Sequence, residues 1–362
     1  MIQPLAKPNS QKYGPQGLYQ TNYISEDIPE ELASLLSLTA NFSLTQSTWS
    51  TYTTALSQLR KCSTELNISL ELPLTEKETL TFVAWLLKKN LLASTIESYL
   101  AGLRQGQIAA GLGDKPLRTP LVNQVIKGRK NQVFAEPAAK DAPERLPITP
   151  KILLLIKKDL KTSNMTKHDK LATWAACTLL FYGAFRGGEL LPKQERNFDP
   201  LTTLLLEDIS IQNIKVKDVE SKVLQIQLKT EKANKHHKPN IVDVYANKSE
   251  SCPIAAWRKY NFIASNQVGL PAFRKSDGSN LTAENLNKYL KTFNQKYLNI
   301  PGKTLSTHSF RAGLATVLGS LGFSDDQIKS TGRWSSRSFE LYCKLPRSKR
   351  MEMARSIAAM DL

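Results

Sequence analysis

Three prolines, Pro137, Pro143 and Pro147, fall between two long stretches of helical patterning. Proline fixes φ, lacks an amide proton and pushes the residue before it out of helical space. Residues 133–147 therefore predict an extended linker, and 362 residues are enough for a domain on either side of it. Upstream, Trp49, Tyr52, Leu56 and Leu59 recur at helical spacing, and Leu80, Val83, Ala84 and Leu87 do the same. Ser94-Thr95-Ile96-Glu97 reads as a capping box opening a third helix, whose stripe is Ile96, Tyr99, Leu100 and Leu103. A short fourth helix, from about 121 to 130, ends in Lys127, Arg129 and Lys130, a cluster suited to phosphates and equally to a solvated helix end. Residues 1–40, with prolines and the acidic group Glu26, Asp27, Glu30 and Glu31, predict a flexible arm. The expected organisation is an arm (1–40), a helical domain (41–132), a linker (133–147) and a second domain (148–362).

The second domain changes period twice. Thr149-Pro150 caps a helix with proline at its first position. A long apolar helix from about 171 to 185 delivers Arg186 at its end. Short β-rich runs at 203–211, 214–219, 223–228 and 240–245 predict a small antiparallel sheet. Helical spacing then returns in Leu286, Tyr289, Leu290, Phe293 and Tyr297. The fold class expected is mainly α with a small antiparallel β-sheet (α+β).

Forty-nine Lys and Arg against 32 Asp and Glu leave a formal charge of +17, which argues for a polyanionic partner. No stretch approaches the roughly 18 apolar residues of a membrane helix, and residues 1–23 hold no apolar signal core. The chain thus reads as intracellular with no membrane partner. Cys62, Cys177, Cys252 and Cys343 lie far apart, which excludes a zinc knuckle and fits reduced thiols.

Chemistry concentrates in two places: Gly183-Ala184-Phe185-Arg186-Gly187-Gly188-Glu189-Leu190, and a late group of His308-Ser309-Phe310-Arg311, Gly332-Arg333-Trp334 and Tyr342. Attack on a phosphodiester adds negative charge that fixed cationic donors must meet. Arginine suits this because its planar fork bonds phosphate bidentately, so Arg186 and Arg311 are the expected phosphate holders. His308, one turn before Arg311, shares its face, and Trp334 offers an indole N–H. Tyr342 is the candidate nucleophile; ionising a tyrosine of pKa near 10 at pH 7 costs about 4 kcal/mol, which neighbouring guanidinium groups would offset. The leaving alkoxide needs a proton, and Lys229 is the candidate acid, with Lys232 and Lys235 as substitutes in the same loop. Taken singly, these residues have ordinary uses: Arg186 could cap a helix or pair with Glu189, Trp334 and Tyr342 could be core aromatics, and Lys229 could be solvated.

Taken in order, they resemble the tyrosine recombinases of the phage-integrase family. That family carries an arginine in Gly-x-x-Arg-x-x-Glu-Leu, a lysine on a β-turn, His-x-x-Arg, and His or Trp shortly before the tyrosine. Arg186, Lys229, His308, Arg311, Trp334 and Tyr342 match those places, and Glu189 matches the acidic residue that commonly follows the first arginine and orients the site. The motifs cover about residues 145–345, while the earlier helices match the family's DNA-binding domain only in type. Arg-Leu-Pro-Ile-Thr-Pro at 145–150 and Gly-Arg-Trp-Ser-Ser at 332–336 resemble the DIRS-like and Crypton recombinases of eukaryotic mobile elements. One departure is the spacing: Trp334 precedes Tyr342 by eight residues, where many bacterial members have nine. The resemblance implies a DNA strand transferase working through a 3′-phosphotyrosyl intermediate, with no metal or nucleotide cofactor. It implies two domains clamping double-stranded DNA, with Lys127, Arg129, Lys130, Lys232 and Lys235 on phosphates, and four copies of the chain on two sites. It also implies a nuclear location if the host is eukaryotic, and a C-terminal helix around 347–360 that docks on a neighbour or packs on its own domain. The rivals are a type IB topoisomerase-like relaxing or nicking enzyme, a DNA-binding protein whose catalysis has lapsed, and a helix-turn-helix regulator built from 324–342.

Overall fold

The apolar stripes of the N-terminal half become four helices: α1 (Gln46–Leu66), α2 (Glu76–Lys88), α3 (Ala93–Ala109) and α4 (Pro120–Ala135). The computed structural model describes residues 29, 31, 32, 35, 36, 39, 46–110, 112–135, 144–216, 219–229, 240–264, 268–334 and 336–341. The chain divides into two compact units, Met1–Lys140 and Asp141–Leu362. Of the expected arm, residues 31, 32, 35, 36 and 39 are helical and residue 29 is not; the others lie outside the described residues.

In the first unit α1 packs against α3, and α4 against α2 and α3. Leu59, Phe82, Leu86, Ile96, Leu100, Leu103, Val122 and Ile126 fill the space between them. Each such side chain contributes about 1.5–3 kcal/mol by leaving water. A capping box starts α2: Thr75 Oγ1 accepts from the Glu78 amide at 3.2 Å, and the Glu78 carboxylate accepts from the Thr75 amide at 2.7 Å. The box expected at 94–97 does not form. Helix α3 begins at Ala93 with Leu92 as its N-cap and no capping side chain. Glu97 instead draws in two cations, Arg118 at 3.0 Å and Lys130 at 2.9 Å. Helix α4 also runs five residues beyond its expected end.

The second unit opens with β1 (Glu144–Arg145), which pairs in parallel with β5 (Lys303–Thr304). Thr149 then caps α5 (Pro150–Thr162), accepting from the Ile152 amide. Helix α6 (Lys167–Tyr182) is buried at every position from Ala172 to Phe181, which is why its sequence is apolar on all faces rather than along one stripe. It stops three residues short of the expected end, because Gly183 caps it and Ala184 turns into left-handed backbone at φ 46°. A short turn of helix, α7 (Gly187–Leu190), follows.

The sheet is antiparallel in the order β2 (Ile209–Val216), β3 (Val219–Leu228), β4 (Asn240–Tyr245). Of the first β-rich run, only Ile209 to Ile211 is strand. Leu206–Asp208 forms a 3₁₀ turn in which the Asp208 carboxylate accepts from the Leu205 amide at 2.7 Å, so pairing starts at Ile209. The end of the first run and the start of the second are one strand, β2, while Val219 already belongs to β3, which takes in the third run; Val216 lies opposite Val219. Helices α8 (Pro253–Ala264), α9 (Ala283–Tyr297), α10 (Thr307–Ser320) and α11 (Asp325–Gly332) complete the unit, followed by a 3₁₀ turn at Arg337–Leu341. Leu286, Leu290 and Phe293 bury the α9 stripe, and buried Asp159 ties α9 to α5 by accepting from Tyr289 Oη and Lys296 Nζ, both at 2.9 Å. Among the described residues, no helix is long and apolar enough to cross a membrane.

Candidate active site

The end of α6 organises the site. A helix leaves its last carbonyls without intrahelical donors and carries partial negative charge there. Two arginines from distant segments take consecutive carbonyls of this end: Arg333 Nη1 donates to Gly183 O at 2.8 Å, and Arg311 Nη1 donates to Ala184 O. Arg186 follows at the start of α7. Its amide donates to Glu189 Oε2 at 2.9 Å and its Nη1 to Glu189 Oε1 at 2.5 Å. Arg333 Nη2 reaches the same carboxylate, donating to Oε2 at 3.1 Å. The Glu189 side chain is only 5% exposed, so its charge has to be matched by such partners. Arg186 thus both pairs with Glu189 and sits beside Arg311's anchor.

Arg311 lies at the start of the second turn of α10, buried, with its guanidinium carbon 4.3 Å from the centre of the Trp334 ring. Trp334 is a core aromatic as well as an arginine partner: it packs on Phe339 at 5.8 Å in a small cluster with Ala315 and Ile328. The indole folds back over Gly332 so closely that a Cβ there would stand 1.6 Å from Trp334 Cζ3. Helix α11 ends at Arg333 with φ 54° and ψ 44°; the Arg333 amide donates to Ser330 O and the Trp334 amide to Lys329 O. This is a left-handed helix stop that glycine usually supplies. For arginine the backbone costs roughly 1–2 kcal/mol.

His308 is exposed on the first turn of α10, one turn before Arg311. Partial loss of hydration, then the positive charges of Arg145, Arg186 and Arg311, hold its pKa below the ordinary histidine value, with Glu189 opposing. Four guanidinium charges (Arg145, Arg186, Arg311, Arg333) face one carboxylate (Glu189) here, a local excess of three positive charges. The arrangement can receive an anion, and His308 rests neutral beside it at neutral pH, able to accept a proton.

Lys229 follows β3 directly. Its ammonium pairs with Asp208 Oδ2 at 2.9 Å and donates to Pro200 O at 3.0 Å. Tyr342, Lys232, Lys235 and the segment 347–360 lie outside the described residues. In the other unit, Lys127 is exposed, whereas Arg129 donates to Asn90 Oδ1 and Leu91 O, and Lys130 pairs with Glu97. Sequence reasoning missed Arg333, Arg145 and Asp208. The first two stand inside the quoted Gly-Arg-Trp and Arg-Leu-Pro segments, but neither spacing nor type marks them; Asp208 gives no signal before the 3₁₀ turn forms. Among the described residues, no group of three or more His, Cys, Asp or Glu could hold a metal ion.

The architecture is the tyrosine-recombinase fold, mainly helical with a small antiparallel sheet. Solved structures that share it are the Tn1549 transposon integrase in complex with circular intermediate DNA (15% identity, 89% of this chain and 97% of that one, TM-score 0.54) and the XerH site-specific recombinase bound to palindromic difH substrate in a post-cleavage complex (15%, 86% and 79%, TM-score 0.56). A lambda integrase dimer bound to a COC′ core site shares it too (14%, 88% and 82%, TM-score 0.52). At such identities the common property is the fold. Neither a protein-family model nor a curated protein matches the sequence.

Proposed function

We propose that the protein is a site-specific DNA recombinase that cuts and rejoins double-stranded DNA without metal or nucleotide. The observation that carries this reading is that the charges of Arg186 and Arg311 both bear on His308, with Arg311 anchored on Ala184 O two residues before Arg186. The two form a cation pair suited to the two nonbridging oxygens of a phosphodiester. Tyr342 attacks phosphorus through its phenolic oxygen, its hydroxyl proton passing to the neutral His308. The bond to the 5′ oxygen breaks, the 3′ phosphate stays on tyrosine, and the departing alkoxide takes a proton from Lys229. A 5′-hydroxyl from the same or another duplex then reverses these steps, and the energy of the broken bond is conserved in the phosphotyrosyl link.

In this reading Glu189 orients Arg186, Trp334 supports Arg311, and His308 donates to or exchanges a proton with the phosphate. The helical domain (41–132) and the catalytic domain (148–362), joined by 133–147, grip the duplex; Lys127 and Lys130 are the exposed cations of the α4 cluster, with Arg129, Lys232 and Lys235 assisting. The DNA-bound state of the fold relatives supports a DNA partner, and strand exchange requires four copies on two sites, in the nucleus if the host is eukaryotic and otherwise in the cytoplasm or nucleoid. The test is to incubate the protein with DNA from the flanks of its own gene and map any covalent junction. A 3′-phosphotyrosyl bond at Tyr342 supports the reading; a junction at another residue, or none, overturns it.

A further inference from the structure

We propose that Arg333 is a positioning residue for strand cleavage, acting through Glu189 on Arg186 and tying the segment that leads to Tyr342 to the arginine turn. This rests on the phosphotyrosyl reading above. Arg333 occupies a left-handed helix stop at φ 54°, where glycine would sit without strain. Strained backbone persists where surrounding contacts over-determine it. The contacts are Gly183 O at 2.8 Å, Glu189 Oε2 at 3.1 Å, and the Phe185 ring, whose centre lies 4.9 Å from the guanidinium carbon. All three belong to the turn that carries Arg186.

The consequence concerns how Glu189 grips Arg186. Glu189 Oε1 accepts from Arg186 Nη1, while Oε2 is shared by the Arg186 amide and Arg333 Nη2. With Oε2 so occupied, the carboxylate cannot swing into a two-oxygen clasp of the Arg186 guanidinium. The remaining Arg186 donors stay available to a phosphate. The same side chain also fixes where the chain leaves α11, immediately before Trp334 and nine residues before Tyr342.

The experiment uses the full chain and the variants Arg333→Gly, Arg333→Lys, Arg186→Ala and the Arg333→Gly/Arg186→Ala double. Glycine removes the guanidinium and relieves the backbone, so Arg333→Gly keeps its melting temperature and duplex affinity. Its rate of covalent adduct formation on a nicked suicide duplex falls roughly tenfold to a hundredfold, the scale of a misplaced reacting group. Arg333→Lys recovers little, since one ammonium cannot span Gly183 O and Glu189. In the Arg186→Ala background, Arg333→Gly adds no further loss, because the two act as one unit.

A second readout needs no DNA: the Arg186 Nε–H resonance in nitrogen-15 spectra shifts in Arg333→Gly and in Glu189→Gln alike. An unshifted resonance, an unchanged cleavage rate, or a loss that multiplies with that of Arg186→Ala overturns the proposal. Absence of any adduct from the unaltered protein overturns the functional reading instead, and the resonance test then decides the Arg333 linkage by itself.

Discussion

Glu189 and Arg333 stand 144 residues apart in the chain and 3.1 Å apart in space. Their contact joins the turn after α6 to the end of α11, and a buried carboxylate that also holds Arg186 lies at the junction. The site is therefore built around one anion, and the cations around it are spaced by that anion as much as by their own helices.

Replacing Glu189 with Gln removes the charge both arginines share. The two guanidinium groups then face each other across a neutral amide. We expect a loss of about 1–3 kcal/mol in stability, the usual range when a buried partner of a charged group is removed. Urea unfolding measures it, and an unchanged midpoint and slope would count against the carboxylate as the hub.

Gly332→Ala should expel the Trp334 indole, since the added methyl would lie 1.6 Å from the ring. Losing the ring's packing and its stack on Arg311 should cost about 1–3 kcal/mol. Near-ultraviolet circular dichroism reports the displaced indole, and adduct formation should fall more than duplex affinity. A variant with native dichroism and native cleavage would show that the ring does not lie over Gly332.

His308 predicts a particular pH response. Its folded pKa is depressed by lost hydration and by Arg145, Arg186 and Arg311, so the unfolded chain binds more protons. The stability it confers is complete above about 6.5, the unperturbed histidine value, and is lost as pH falls toward the lower folded value. A bound phosphate offsets the arginine charges and raises that pKa, so binding takes up a proton and duplex affinity rises as pH falls. Dissociation constants across pH 5–8 for the protein and for His308→Gln test this; parallel profiles would refute it.

Duplex affinity should fall steeply with salt, by about 0.9 in log K per log salt for each phosphate neutralised. Four phosphates engaged by the arginine site and α4 would give a slope of about −3.6. Tyr342→Phe should keep that slope while abolishing covalent capture. A flat slope excludes the phosphate clamp, and an adduct from the Phe variant excludes Tyr342 as nucleophile.

Local signals were legible because their physics is local. Thr149-Pro150 caps a helix from two neighbouring residues, the stripes at 49–59 and 286–293 declare helices by spacing, and the order of Arg186, His308, Arg311 and Trp334 identifies a fold. Where local chemistry offered two choices, neighbours decided. Glu97 left its expected capping role for Arg118 and Lys130, and Asp208 turned the first β-run into a 3₁₀ turn while pairing with Lys229.

By itself, then, the sequence determined the α+β class, most elements and the roster of cationic side chains, since these follow from periodicity and residue type. Only the tertiary structure decided that Arg311 and Arg333 meet at the end of α6, 127 and 150 residues from the carbonyls they hold. Contacts over such separations have no period and no spacing to betray them. They exist because an apolar helix, buried on every side, ends where its bare carbonyls must find donors.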